Sequence, residues 1–201
     1  MKTLEEILDV AKIHTKRAKY VCLFGSRVYG TNDTESDWDV VVVANSSIEA
    51  REVKNADLNI HIYTPERWKK DLEWHTPKCL ECHFSPDWAK LMDENEISLE
   101  INNARLRHAF AHVSSNSWVK CKKKLADSEY RTAIKSMFHS IRIPMMGSDI
   151  ATNGKITDFS LANHIWDELI SKEWDWNSLD KRFREERANV MTQFRKLAPK
   201  D

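Results

Sequence analysis

In 201 residues, thirty-one Lys and Arg balance thirty-one Asp and Glu, and 41% of the residues are apolar. That length buries a core without disulfide staples and fits one domain or a small domain with a helical extension; the balance excludes a disordered chain, and four Gly and five Pro exclude collagen-like and linker-rich designs. No apolar run approaches about 18 residues, so no membrane-spanning helix is expected, and Glu5 and Glu6 stand where an export signal would carry its apolar core.

Thr3-Leu4-Glu5-Glu6 has capping-box spacing, and Leu4, Ile7, Leu8 and Ala11 recur at helical intervals, which predicts a helix over 4–16. Tyr20 to Phe24 is a short β-prone run stopped by Gly25 and reads as a buried strand. Two more strands are expected, 37–43 and 57–63. In the first, Asp37, Asp39, Val41 and Val43 share one face; in the second, Asp57, Asn59, His61 and Tyr63 do. Thr64-Pro65 then opens a helix, with Thr as the cap and Pro in the first turn. Strand signals stop after about residue 75. Helical spacing runs through Leu106, Phe110 and Val113, then through Ile134, Met137, Phe138 and Ile141 to a stop at Asn153-Gly154, with later helices over 158–171 and 179–196. The fold class is α/β (α+β): a small mixed-sheet unit placed at 1–95, followed by a helical unit at 96–201.

The even charge is unevenly spread. Glu81 to Glu100 holds six acids and one base, whereas Ile101 to Gly147 holds nine bases against Asp127 and Glu129. Such a local excess is what a protein offers to phosphates, although a solvated helix face produces the same pattern.

The stretch that carries chemistry is Leu23-Phe24-Gly25-Ser26-Arg27-Val28-Tyr29-Gly30, followed by Asp37-Trp38-Asp39. A turn that begins on Gly lets backbone N–H groups and the Ser26 hydroxyl approach a polyphosphate, and Arg27 adds a cation. Asp37 and Asp39, at i and i+2 of one strand, lie about 6–7 Å apart at the backbone and can converge on a hard cation. Asp57, on the next strand, is the candidate third carboxylate. Gly-Ser alone is common, and Asp-x-Asp alone fits a solvated strand edge; their ordered combination is far more specific.

Gly25-Ser26, ten residues, then Asp37-Trp38-Asp39 resembles the signature of the nucleotidyltransferase superfamily, which includes DNA polymerase β, poly(A) polymerases and the minimal nucleotidyltransferases. The resemblance covers residues 20–63. More narrowly, Gly-Ser-Arg-x-Tyr-Gly leading to Ser-Asp-x-Asp is similar to nucleotidyltransferases found in viruses and phages and beside RNA ligases. Phe138-His139-Ser140-Ile141-Arg142 is similar to a helix in the C-terminal half of those proteins. The resemblance implies a nucleotidyltransferase core over 1–95, an ATP- or other NTP-binding site, and Mg²⁺ or Mn²⁺ as cofactor. It implies Gly25, Ser26 and Arg27 as the phosphate-holding turn, and Asp37, Asp39 and Asp57 as catalytic metal ligands. In some members the third acid stands later in its strand; those positions are Asn59 and His61 in this sequence. The implied reaction is in-line attack by an acceptor hydroxyl on the α-phosphate, with pyrophosphate leaving.

Lys135, His139 and Arg142 sit at i, i+4 and i+7 of one helix and are candidate nucleotide-binding residues, with Lys120 and Lys124 beside them; an ordinary polar face is the alternative. Cys79-x-x-Cys82-His83, with His75, has formal metal-ligand spacing but reads as packing, and His108 and His112 lack a third ligand. Four cysteines are too few for a disulfide scaffold and point to a reducing cytoplasm. Most of the eight Trp read as core or inter-domain packing, and one or two can stack on a base, with nothing in the sequence to pick which. The expected acceptor is an RNA or other nucleic-acid 3′ end, bound through the basic segment 105–142. A protein or small-molecule hydroxyl is the alternative of like chemistry, and a non-catalytic nucleotide-binding module is the alternative of another class.

Overall fold

The structure, a computed structural model, describes residues 2–45, 47–94 and 97–200. It divides into two compact units, Met1–Glu100 and Ile101–Asp201; the boundary expected between 95 and 96 lies outside the described residues. No helix among the described residues is long and apolar enough to cross a membrane.

The first unit is built on helix α1 (Leu4–Ala11), strand β1 (Ala18–Phe24), a single helical turn α2 (Ser26–Tyr29), β2 (Trp38–Ala44), β3 (Arg51–Asn55), β4 (Leu58–Tyr63), α3 (Pro65–Glu73), α4 (Pro77–His83) and β5 (Lys90–Asp93). The Thr3 hydroxyl accepts from the Glu6 N–H, and the Glu6 carboxylate accepts from the Thr3 N–H, completing the capping box. The helix ends before the expected Lys16. Lys12 turns left-handed at φ 56°, the Ile13 N–H reaches back to the Leu8 carbonyl, and buried Ile13 provides the apolar contact that follows such a stop.

The sheet order is β3-β4-β2-β1-β5, with β2 and β4 parallel and every other pair antiparallel. Val40 to Ala44 are fully buried because helices cover both faces of β2, with α1 against β3 and β4 and α3 and α4 against β2 and β1. The three expected strands form this centre. The two strands absent from the expectation are its edges. Arg51-Glu-Val-Lys-Asn carries one apolar residue, and Lys90-Leu-Met-Asp carries charges at both ends, the composition that keeps an edge from recruiting another chain.

The second unit holds α5 (Asn103–Ala126), α6 (Tyr130–Asn153), α7 (Asn163–Ile170) and α8 (Trp176–Leu197). Leu106 and Phe110 of α5 and Ile134, Met137 and Ile141 of α6 are buried, as their spacing predicts. The helices close tightly at Gly147, where a Cβ would lie 2.6 Å from the Phe194 ring and 2.9 Å from that of Phe110. Pro144 stands inside α6 and has no N–H for the Ser140 carbonyl. The Ser114 hydroxyl of α5 donates to that carbonyl at 2.6 Å instead.

Candidate active site

Strand register builds the site. Phe24 pairs with Asp39, Asp39 with Asn59, and Asn59 with Lys54, so these four side chains share one sheet face. The next row on that face includes Val41, His61 and Glu52. Gly25 follows Phe24 with φ +80° and ψ −159°, backbone that only glycine adopts readily, and a Cβ there would meet Asp39 Oδ2 at 2.6 Å. The turn α2 begins at that point, so the N–H groups of Ser26 and Arg27 have no intrahelical acceptor. Asp37, exposed, precedes β2 on the side of Asp39.

Asn59 Nδ2 donates to Asp39 Oδ1 at 2.9 Å and lies 3.4 Å from His61 Nε2. Asn59 Oδ1 is buried and has no hydrogen-bond partner. Burial, then the charge of Lys78, holds the His61 imidazole below its ordinary pKa, so it is neutral at pH 7. Lys78, at the start of α4, lies over the rings of Tyr63 and Phe24 at 5.2 and 5.9 Å. Beside His61 a cleft of about 360 Å³ is lined by Arg51, Glu52, Tyr63, Arg67 and Asp71 among others.

The expected residues divide. Gly25 and Asp39 come together, with Ser26 next to Gly25 in the chain and exposed Asp37 two residues before Asp39. Asp57 lies beside the start of β2, where its carbonyl accepts the Trp38 N–H at 2.7 Å. Its half-exposed carboxylate meets Lys2 at 3.0 Å, and that hydrogen bond holds it below the usual carboxylate range. Arg27 donates to the Ser36 and Asp37 carbonyls and stacks on Trp38 at 4.2 Å, so its cation clamps the 31–37 loop. Asn59, His61 and Lys78 carry no motif. Only the pairing of β2 with β4 and the docking of α4 bring them to Asp39.

In the helical unit, Lys135 and His139 are half-buried and Arg142 is 1% exposed. Burial, then Arg142, Lys135 and Lys120, push His139 down to about 3. Cys79 and Cys82 are buried free thiols, with Cys79 raised by burial to about 11. His75 Nδ1 sits against the Leu72 carbonyl at 2.8 Å. Among the described residues no group of three or more His, Cys, Asp or Glu gathers as a metal cage. The Asp39 carboxylate with the orphaned amide oxygen of Asn59 beside it, and Asp37 two residues earlier in the chain, is a donor set of the kind that suits a divalent ion taking its remaining ligands from substrate phosphates and water, the usual manner of Mg²⁺.

Residues 4–90 match the family model described as the nucleotidyltransferase domain, which spans the sheet unit from α1 to the start of β5. This supports a place for the first unit in the nucleotidyltransferase superfamily. The fold agrees: a mixed five-stranded sheet, then a helical region. No curated protein matches the chain. Among solved structures, a nucleotidyltransferase-like protein from Exiguobacterium sibiricum is similar at 11% identity and a TM-score of 0.33, over 92% of this chain and 69% of that one. So loose a likeness carries no argument.

Proposed function

We propose that the first unit transfers a nucleoside monophosphate from ATP or another NTP to an acceptor hydroxyl, that of an RNA or other nucleic-acid 3′ end, with Mg²⁺ or Mn²⁺. One observation carries the reading: with no side chain at Gly25, the Asp39 carboxylate lies against the backbone of the turn, where a Cβ would meet Asp39 Oδ2 at 2.6 Å, beside the N–H groups that open α2. Backbone donors and a carboxylate then meet at one spot, as the binding of a metal-bound polyphosphate demands.

Asp37 and Asp39 would hold the divalent ion, which when bound neutralises the triphosphate and acidifies the acceptor hydroxyl. The α2 N–H groups and the Ser26 hydroxyl take the β- and γ-phosphates. Lys78 has no carboxylate partner among the described residues and is the unpaired cation on that face, since Lys54 pairs with Glu52 and Arg27 is spent on the loop. The acceptor oxygen bonds to the α-phosphorus as the bond to the bridging oxygen breaks. Pyrophosphate leaves with that oxygen, and the hydroxyl proton passes to neutral His61. Asn59, paired across from Asp39, takes the third position on the face in place of a carboxylate, and Asp57 stays with Lys2.

Of the candidates in the helical unit, Lys135 keeps a part-exposed ammonium that can meet a phosphate of a nucleic-acid strand, whereas buried Arg142 and neutral His139 offer no charge to one. The four cysteines are free and buried, in keeping with a cytoplasmic site of action. Purified protein, labelled NTPs and Mg²⁺ or Mn²⁺, offered RNA and protein acceptors, test the reading. Label in RNA with release of pyrophosphate is expected. Label only on protein overturns the acceptor, and no transfer to either overturns the reaction.

A further inference from the structure

The helical unit carries a feature to which the bond-making step assigns no role. Trp118 of α5 and Trp176 at the start of α8 meet edge to face with ring centres 5.5 Å apart, both half-buried. Lys122 lies 5.5 Å from the Trp176 ring centre and Arg187 lies 5.1 Å from that of Trp118. Val119, next to Trp118, is 67% exposed, an apolar side chain left in water beside the indoles.

The cations around this pair have no counter-charge. Helix α5 holds Arg105, Arg107, Lys120, Lys122, Lys123 and Lys124 and not one Asp or Glu. Among the described residues, Lys120, Lys122, Lys123 and Arg187 make no ion pair. Arg187 donates only weakly, to Ser114 and Ser115 at 3.3 and 3.4 Å, and its buried Nε has no acceptor. Among the acids of neighbouring segments, Asp180 pairs with Arg184, Glu186 with Arg182, and Asp127 and Glu129 with Lys124, which leaves exposed Glu173 and Glu185 against the four unpaired cations. Asp175 caps α8 through Ser178. The patch therefore presents net positive charge around two indoles. An acidic protein would need the charge alone; the indole faces add a reason to receive flat, π-rich groups.

We propose that Trp118 and Trp176 form a stacking platform for the bases of single-stranded nucleic acid, with Lys122, Lys123 and Arg187 taking the flanking phosphates. The proposal rests on the reading of the acceptor as nucleic acid and names the surface that holds it. Stacking contributes enough per base that losing one indole weakens binding about tenfold, and each phosphate contact adds about 0.7 to the salt slope for a single strand.

The test is fluorescence anisotropy of a short labelled single-stranded RNA and of its duplex, on the whole protein without NTP. Tighter binding of the single strand is expected, weakened about tenfold by Trp118→Ala or Trp176→Ala with the salt slope unchanged. Trp118→Phe should keep most of the affinity. Lys122→Glu with Lys123→Glu, both exposed and safe for folding, should weaken binding and flatten the slope. Equal binding of duplex, equal displacement by polyglutamate, or indifference to the Trp and Lys changes overturns the platform. Asp39→Asn separates the two proposals: it should leave oligonucleotide binding intact. Oligonucleotide binding that follows the tryptophans in a protein that transfers nothing overturns the reaction alone. Transfer by a protein that binds no single strand overturns the platform alone.

Discussion

The two units carry opposite charge. Up to Glu100 there are thirteen Lys and Arg against nineteen Asp and Glu; from Ile101 on there are eighteen against twelve. The chain's neutrality is thus a cancellation between regions that do different things. In the sheet unit, strand pairing and the Gly25 turn set the Asp39 carboxylate against the backbone, with Asp37 two residues before it in the chain. In the helical unit, the charges left over are cations along α5, uncompensated on their own helix. Net charge over a whole chain conceals both facts, because phosphate chemistry needs acids to hold the ion and bases to hold the strand.

If that division is correct, the largest effect comes from the acid pair. Asp39→Asn should lower transfer about 10²- to 10³-fold, measured as pyrophosphate release, because charge developing in the transition state loses its counter-ion. A comparable Tm would show that the fold survives. His61→Gln should lower the rate about 10²-fold. The parent's activity should fall as pH drops below about 6.5, where an unburied imidazole protonates, later than that because burial and Lys78 depress the group; the variant should lose this acid limb. Gly25→Ala should cost about 1–3 kcal/mol from backbone strain alone and reduce transfer more than tenfold as Asp39 is pushed aside, read by thermal melting and the same assay.

The helical unit's cations make a prediction of their own, for stability. His139 is depressed to about 3 by burial and the surrounding bases. Its neutral state stabilises the fold fully above about pH 6.5, and that contribution is lost as pH falls toward 3. At pH 5 the loss is about 2 kcal/mol, and His139→Gln should shrink the difference in Tm between pH 7 and pH 5 accordingly. The smallest effect is expected from Asp57→Asn, which removes a half-exposed ion pair with Lys2. Little stability and little activity should go with it, because water and salt screen an exposed pair. A collapse of activity would instead make Asp57 the third carboxylate and free Asn59 of that place.

The centre of the sheet was legible because it is written in β-branched residues: Val40 to Val43 and Ile60 and Ile62 show both strand and burial. The edge strands were not. Arg51-Glu-Val-Lys-Asn protects itself with charge, and that charge erases the alternation a reader looks for. Gly25, Ser26, Asp37 and Asp39 stand out as candidates in the sequence because turn and strand chemistry place them locally. Asn59 could not displace Asp57 in that reading, since which residue of β4 faces Asp39 depends on inter-strand register, a non-local property. Arg27 looked like a phosphate ligand because nothing in its own sequence reveals that the Ser36 carbonyl and the Trp38 ring will hold it. The Trp118–Trp176 contact likewise joins residues far apart in the chain and follows only from the packing of α5 with α8.

The bond from Ser114 to the Ser140 carbonyl has a mechanical consequence. A proline in mid-helix ordinarily leaves a flexible joint, because one rung of the ladder is missing. In this unit the missing rung is supplied from the neighbouring helix, so α6 can stay straight only while α5 is in step with it. Replacing that hydroxyl by an apolar side chain, as when Val113 comes to its level, would strand a buried acceptor, at a cost of about 1–3 kcal/mol. The hydroxyl thereby serves as an alignment pin: it fixes the axial setting of the helix that carries Trp118 and the unpaired lysines.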